Sequence, residues 1–379
     1  MSHIAFLIPT VDRIGGAERQ VIQLAKGLAA RGWRVSVVAL SGTGGEAAGD
    51  LTAAGVGFLS LGMRKGLADP RGWIRFHRWL RRERPDVVHA HLSHAAWLAR
   101  WSRLFAPVRV ELDTLHSSST GTLGRRLGYR WSAWLPDRVT AVSQAVADAH
   151  LSAGMAAENR LTVLPNGVDV EEWSPDSAVR ADFRRELGLT DEFLWLAAGR
   201  LEPVKDYPAL LRALVEVPET ARLVIAGAGP LENRLRLLSR ELGLERRVRF
   251  LGFEPDVRRW MRAADGFVLA SRWEGLPMGL LEAGACGVPA VATDVPGTRE
   301  ALVHGKTGFL APSGDVAALS GAMTRLMRLP PSGRSAMGQC ARQSVAERYS
   351  LQHVLNLWEA LYGQILTANP RQRRCAQAN

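Results

Sequence analysis

The run EGLPMGLLEAGA, residues 274–285, lies between two buried-looking apolar stretches, and this placement constrains the fold more than any other feature. Residues 264–271 read as a strand leading in, and 286–293 read as a second strand leading out. Between them come a Gly-Leu-Pro-Met-Gly turn and a helix of small residues at 280–284. Pro277 suits the first helical position, where its missing N–H costs nothing. Strand, glycine loop, helix and strand make the βαβ unit of an open parallel sheet, so the expected class is α/β. In such sheets ligands bind beyond the C-terminal ends of the strands.

Two carboxylates frame this turn, Glu274 on the loop and Glu282 inside the helix. The unpaired N–H groups of a helix start form a ready anion site. Gly275, Leu276, Pro277, Met278, Gly279 and Leu280 are therefore candidates to cradle a diphosphate. The carboxylates would accept hydrogen bonds from hydroxyls on either side of it. Taken alone, glycine-proline turns into helices are common, and the two glutamates do not decide a function.

The same grammar runs along the chain. Strands are expected at residues 3–9, 35–40, 87–90, 109–112, 139–142 and 161–164, with helical patterns between them, including an amphipathic one at 17–30. Residues 171–176 have linker character. A second cycle follows, with strands at 194–198, 223–226, 248–251, 266–270 and 288–293. The expected domains are 1–168, 169–349, and a C-terminal helix with a basic tail at 350–379. No uncharged apolar run reaches the ~18 residues of a membrane span. The opening MSHIAFLIPT has no basic region, long apolar segment or cleavage site, so the expectation is a cytoplasmic protein. Three cysteines at unrelated spacings suggest reduced thiols and no metal motif.

Several residues fall at strand ends. Arg200 and Lys205 follow the strand 194–198. Two cations there can neutralise a diphosphate, one as a fork and one as a point charge, although a solvated surface pair has the same pattern. Gly15 and Gly16 open the first helix and let backbone N–H groups come close to a ligand. The loop is not G-x-G-x-x-G, and no ribose-binding acid ends the second strand, which counts against an NAD-dependent dehydrogenase. His116 follows the strand 109–112. His89 and His91 lie two apart, which could suggest a metal, but no matching acid set is nearby, so packing is preferred. Gly227 and Gly229 fit either a close approach to a nucleotide or a tight turn. Phe253, in the turn 252–255, is a candidate wall for a base.

These residues, with further matches at GGAER (15–19), DVVHAH (86–91), TLH (114–116), AVSQA (141–145), PNGVD (165–169), GRLEPVK (199–205) and IAGAGP (225–230), resemble retaining glycosyltransferases of family 4 over nearly the whole chain. That family has the GT-B fold, two Rossmann-like parallel-sheet domains facing across a cleft. The resemblance implies transfer of a hexosyl- or N-acetylhexosaminyl-type sugar from a nucleotide-diphosphate sugar, with retention of configuration. The acceptor would be a glycan or a polyprenyl-linked lipid, in cell-surface polysaccharide, lipopolysaccharide or glycolipid synthesis. It also implies that Arg200 and Lys205 face the leaving diphosphate, that Glu274 and Glu282 hold sugar and ribose hydroxyls, and that Gly15, Gly16 and His116 face the donor. The last helix is implied to cross back to the first domain. No metal or other cofactor is called for. A nucleotide-sugar epimerase or phosphorylase with the same fold stays open.

Charge adds one more expectation. The net charge is +11, and residues through Pro165 hold 21 basic against 12 acidic side chains. In PRGWIRFHRWLRRER, residues 70–84, Arg71, Arg75, Arg78 and Arg82 share a helical face opposite Trp73, Phe76, His77 and Leu80. A second basic-aromatic run spans 125–138. Such a helix suits peripheral contact with an anionic membrane, at the inner face of the plasma membrane. A core-packed helix with a solvated arginine face fits the same pattern. Nucleic-acid binding, the other reading of pI ≈ 10.4, does not call for diphosphate and hydroxyl loops and is not expected.

Overall fold

The computed structural model describes residues 2–12, 15–64, 69–106 and 108–368. The basic tail, with Cys375, lies outside the described residues. The chain divides into two units, one running to Gly167 and taking in the helix Leu351–Ala368, the other spanning Val168–Ser350.

The first unit is a seven-stranded sheet of β1 (His3–Ile8), β2 (Arg34–Ala39), β3 (Gly57–Ser60), β4 (Val87–His91), β5 (Val110–Leu115), β6 (Arg138–Ala141) and β7 (Leu161–Val163). Its order is β3-β2-β1-β4-β5-β6-β7, with every neighbouring pair parallel. β1, β4 and β5 are buried along their whole length; β1 accordingly reads as an apolar run, whereas β4 buries His89 and His91 and β5 buries Glu111 and Asp113. The helix Leu351–Ala368 completes this core: Leu355, Trp358 and Tyr362 pack with Val21, Leu24 and Leu28 of the helix Gly16–Ala30. A Cβ on Gly27 would meet Leu355 at 2.6 Å, so the two helices approach where a glycine permits it.

One part of this core is ionic. Arg100 donates Nε–H to Asp113 Oδ2 at 2.6 Å and Nη1–H to Ser132 Oγ at 2.8 Å. Arg100 and Asp113 are 1% exposed. Glu111 is also fully buried, two residues along β5. Burial and the neighbouring Asp113 charge push its carboxyl well above the usual range.

The second unit holds β8 (Phe193–Ala198), β9 (Ala221–Ala226), β10 (Val248–Gly252), β11 (Gly266–Leu269), β12 (Ala290–Asp294) and β13 (Gly308–Pro312). The order is β10-β9-β8-β11-β12-β13, again parallel throughout. In each sheet the order reverses once, between β1 and β4 and between β8 and β11. These two switch points are where loops leave in opposite directions and open a crevice for a ligand.

Two strands have no counterpart in the sequence reading, β3 and β13. Both are edge strands, short, and partly exposed or ending in proline, so neither carries a long apolar run. His116 follows β5 directly because that strand continues to Leu115.

Candidate functional site

In the second unit the loops after β8 and β11, the switch-point pair, meet. β8 runs into Gly199 and the single 3-10 turn Pro203–Lys205. β11 runs into the loop that carries Glu274. Lys205 Nζ donates to Glu274 Oε1 at 2.6 Å, and Ser271 Oγ donates to the same oxygen at 2.6 Å. The Lys205 and Glu274 side chains are 20% and 12% exposed. The loops are also tied by Arg272 N–H to Val204 O (2.8 Å) and Arg272 Nε–H to Asp206 Oδ2 (2.8 Å). Asp206 adopts a left-handed conformation at φ 43, a costly setting for a non-glycine residue and a sign that the turn is held from outside. Tyr207 donates its hydroxyl to Gly199 O at 3.1 Å, and burial and the Glu274 charge raise its phenol, which stays protonated.

The helix that follows is Met278–Ala285. Pro277 does not occupy its first turn, as the sequence suggested, but stands just before it with φ −74 and ψ 111. Its carbonyl accepts from Leu280 N–H at 3.1 Å, so the cap begins one residue later than the proline rule implied. Glu282 is the fifth residue of the helix and 4% exposed. Behind the loop, Thr293 Oγ1 donates to Ser271 O and Thr298 Oγ1 to Thr293 O, both at 2.5 Å. A Cβ on Gly297 would lie 2.3 Å from Gly275 O and 2.6 Å from Glu274 O. Nothing but glycine fits there without moving the backbone that carries Glu274. Gly297→Ala is therefore expected to cost ~1–3 kcal/mol of stability by overpacking and to reduce turnover at least about tenfold. Urea midpoints and initial rates on purified protein check both.

Other candidates stand apart. Arg200 is 71% exposed and pairs with Glu202 at 3.1 Å, on the same loop as Lys205. Gly227 has φ 151, and a Cβ on it would meet Gly199 O at 1.9 Å. Its lack of a side chain is thus required by the neighbouring loop, before any ligand is considered. Gly229 is required in the same way by Leu201 O. Phe253 is 65% exposed after β10. Cys286 and Cys340 are free thiols.

In the first unit, Gly15 precedes the helix Gly16–Ala30 at the C-terminal end of β1, and its N–H donates to Glu18 Oε2 at 3.1 Å. His116 Nε2 lies 2.8 Å from His91 Nδ1, so one ring donates to the other. Burial pushes His116 down to about 4, and it is neutral at physiological pH. His89 and His91 are fully buried and held well below their usual values by burial. His89 bonds Tyr362 Oη (2.7 Å) and Thr114 Oγ1 (2.6 Å), a packing role. Leu92, between β4 and the next helix, sits at φ 68 and ψ 156, a region nearly confined to glycine. Among the described residues no three His, Cys, Asp or Glu side chains form a metal-holding group. Arg71, Arg75, Arg78 and Arg82 are exposed on the helix Pro70–Glu83, whose Phe76, Trp79 and Leu80 are packed into the core.

The sequence pattern of the family "Glycosyltransferase Family 4" matches residues 14–172, and that of "Glycosyl transferases group 1" matches 179–344. The chain belongs to glycosyltransferase family 4. Phosphatidyl-myo-inositol mannosyltransferase of Mycobacterium leprae is 33% identical over 333 residues, 84% of this chain and 85% of that protein. The UDP-Gal:alpha-D-GlcNAc-diphosphoundecaprenol alpha-1,3-galactosyltransferase of Escherichia coli is 28% identical over 276 residues, 69% of this chain and 71% of that one. Among solved structures, HepE of Anabaena in complex with UDP and glucose superposes with a TM-score of 0.86 at 22% identity, covering 96% of this chain and 100% of HepE. That likeness establishes the GT-B fold, with its two Rossmann-like units. The glycosyltransferase thus places Lys205 and Glu274 at the switch point of its second sheet, and the Gly15 loop at that of its first. Ser271, Asp206, Tyr207, Gly297 and Thr298 support the site and were not singled out from sequence. Asp206, bonded to Arg272, and Gly297, packed on Gly275 and Glu274, act across gaps of tens of residues that no local pattern spans.

Proposed function

We propose that the enzyme moves a sugar from a nucleotide-diphosphate donor to a lipid-linked or glycan acceptor, with retention of anomeric configuration, in bacterial cell-surface polysaccharide or glycolipid synthesis. The observation that carries this reading is the Lys205–Glu274 pair before an open helix start. An ammonium and a row of amides meet the diphosphate, while a carboxylate already oriented by Ser271 accepts from sugar hydroxyls. Lys205, with Arg200 on the same loop, would stabilise the charge that develops as the bond from the sugar C1 to the diphosphate oxygen breaks. The acceptor oxygen bonds C1 from the same face, and its proton passes to the departing diphosphate. Glu282 would hold the ribose diol, Phe253 and Gly227 would border the nucleotide, and Gly15 and Gly16 would offer backbone donors. His116, neutral near pH 7, would serve as a hydrogen-bond partner to the sugar and not as an acid. The charge balance needs no metal.

The names of relatives support the substrate class. One is named for a diphosphoundecaprenol acceptor and another for phosphatidyl-myo-inositol. No helix among the described residues is long and apolar enough to cross a membrane, so work on a lipid-linked acceptor would place the enzyme peripherally at the inner membrane face. A screen of thermal shifts against UDP-, GDP- and dTDP-sugars tests the donor assignment. One nucleotide series is expected to raise the midpoint, by ~2.7 kcal/mol of added stability at a hundred times Kd. No shift with any of them would count against the assignment.

A further inference from the structure

The geometry points to the outward side of the helix Leu123–Ser132 as the surface that docks on an anionic lipid bilayer. This inference rests on the reading that the enzyme works at a membrane, and it moves the contact away from the arginine-rich helix Pro70–Glu83.

Leu123, Leu127 and Trp131 recur at i, i+4 and i+8, so they form one stripe along the helix. They are 68%, 46% and 76% exposed, and Trp134 just beyond is 63% exposed. The opposite side of the helix is pinned: Tyr129 is buried under the Arg100 guanidinium, 4.4 Å from its ring, and Ser132 accepts from Arg100. The stripe therefore cannot turn inward without breaking that buried network. A Cβ on Gly128 would meet Trp97 at 2.0 Å, so the preceding helix, Ser93–Ser102, packs directly alongside. Trp97 is itself 38% exposed, so the apolar surface extends from the stripe onto that helix. Contiguous exposed apolar surface of this kind marks an interaction site.

Charge selects the occupant. Between residues 87 and 136 the acidic side chains are Glu111 and Asp113, and both are buried to within 1%. Arg126 and Arg130 flank the stripe and are exposed, so this helix and the segments before it present positive charge and no exposed acid of their own. A two-fold contact with a second copy would set these arginines against themselves without a partner carboxylate. A nucleic acid would match the arginines but leave leucines facing phosphates. An anionic bilayer satisfies both: leucine and tryptophan enter the interface while arginine reaches the headgroups. The helix Pro70–Glu83 is weaker in the first half of that pairing, because Phe76, Trp79 and Leu80 are committed to the core and Ile74, 51% exposed, is its one large exposed apolar side chain. It can be attracted to a bilayer but has little to insert.

The experiment is vesicle flotation with phosphatidylcholine alone and with a third phosphatidylglycerol, using wild type, Leu127→Ser/Trp131→Ser, Arg126→Gln/Arg130→Gln and Arg75→Gln/Arg78→Gln. Wild type is expected to float with the anionic vesicles. The Leu127/Trp131 variant should partition at least about tenfold more weakly and the Arg126/Arg130 variant several-fold more weakly. The Arg75/Arg78 variant should change less than about twofold. All should keep the same thermal midpoint and the same shift with donor. The placement is overturned if the Arg75/Arg78 variant alone loses binding or the Leu127/Trp131 variant floats like wild type. It is also overturned if wild type proves to be a dimer by sedimentation that Trp131→Ser dissociates, or if it prefers an oligonucleotide to vesicles. Wild type that stays in solution with both vesicles would overturn the membrane reading itself, whereas the donor shift would stand untouched.

Discussion

Lys205→Ala is expected to lower turnover about 100-fold or more, the scale seen when one preorganised donor is removed from a developing anion. Two effects act in the same direction. The ammonium proposed to meet the leaving diphosphate is gone, and Glu274, whose side chain is 12% exposed, loses its ion-pair partner while keeping the bond from Ser271. A carboxylate that has lost this ammonium repels a neighbouring diphosphate more strongly, so the variant should lose both kcat and donor affinity. Glu274→Ala is expected to lower turnover at least tenfold, ~1.4 kcal/mol in barrier. Because the two side chains share one hydrogen bond of 2.6 Å, the losses should not add. The double variant should be less damaged than the product of the singles, since removing Glu274 relieves the repulsion that Lys205→Ala creates. Steady-state kinetics on the four proteins measure the coupling. Strict additivity would mean that the pair does not act as a unit in the reaction.

The second large effect concerns stability. Arg100→Met should cost ~3–5 kcal/mol, because it leaves Asp113 buried beside Glu111 without its ion-pair partner. Arg100→Met/Asp113→Leu should recover most of that loss, since a buried pair replaced by apolar groups of similar size is often neutral. Urea denaturation of wild type and both variants decides it. A single variant within ~1 kcal/mol of wild type would show that the ion pair is not what holds β5 to its covering helix.

Much of the architecture is legible locally. Buried parallel strands announce themselves as apolar runs, as β1, β8 and β9 do, and the glycine turn after β11 marks a helix start. Strand order is not local. That β1 neighbours β4 and β8 neighbours β11 depends on crossovers packing over a whole sheet, and this order is what makes the loops after them a site. Lys205 and Glu274 are 69 residues apart, so their ion pair follows from strand order, not from either motif. Glycines were the least transparent. Gly227 suggested room for a nucleotide, yet its first obligation is to Gly199 O. Gly297 reads in the sequence only as the end of another glycine turn, yet it fixes the loop that carries Glu274. The arginine-rich helix Pro70–Glu83 has the amphipathic pattern read from its sequence, but period alone does not say whether its apolar side faces core or lipid. The helix Leu123–Ser132 shows the opposite outcome from a similar composition. There Arg100 claims the tyrosine side, and the leucine-tryptophan stripe is left outside.

The central claim is that sugar leaves a nucleotide diphosphate only by passing to an acceptor. It is tested most directly by incubating the enzyme with the nucleotide sugar that stabilises it, radiolabelled in the sugar, with and without an extract of bacterial lipid-linked acceptors. The account predicts label in the lipid fraction, one nucleoside diphosphate released per sugar transferred, and no release without acceptor. Nucleoside diphosphate released without acceptor, sugar 1-phosphate formed with inorganic phosphate, or an epimerised sugar with no transfer would contradict it.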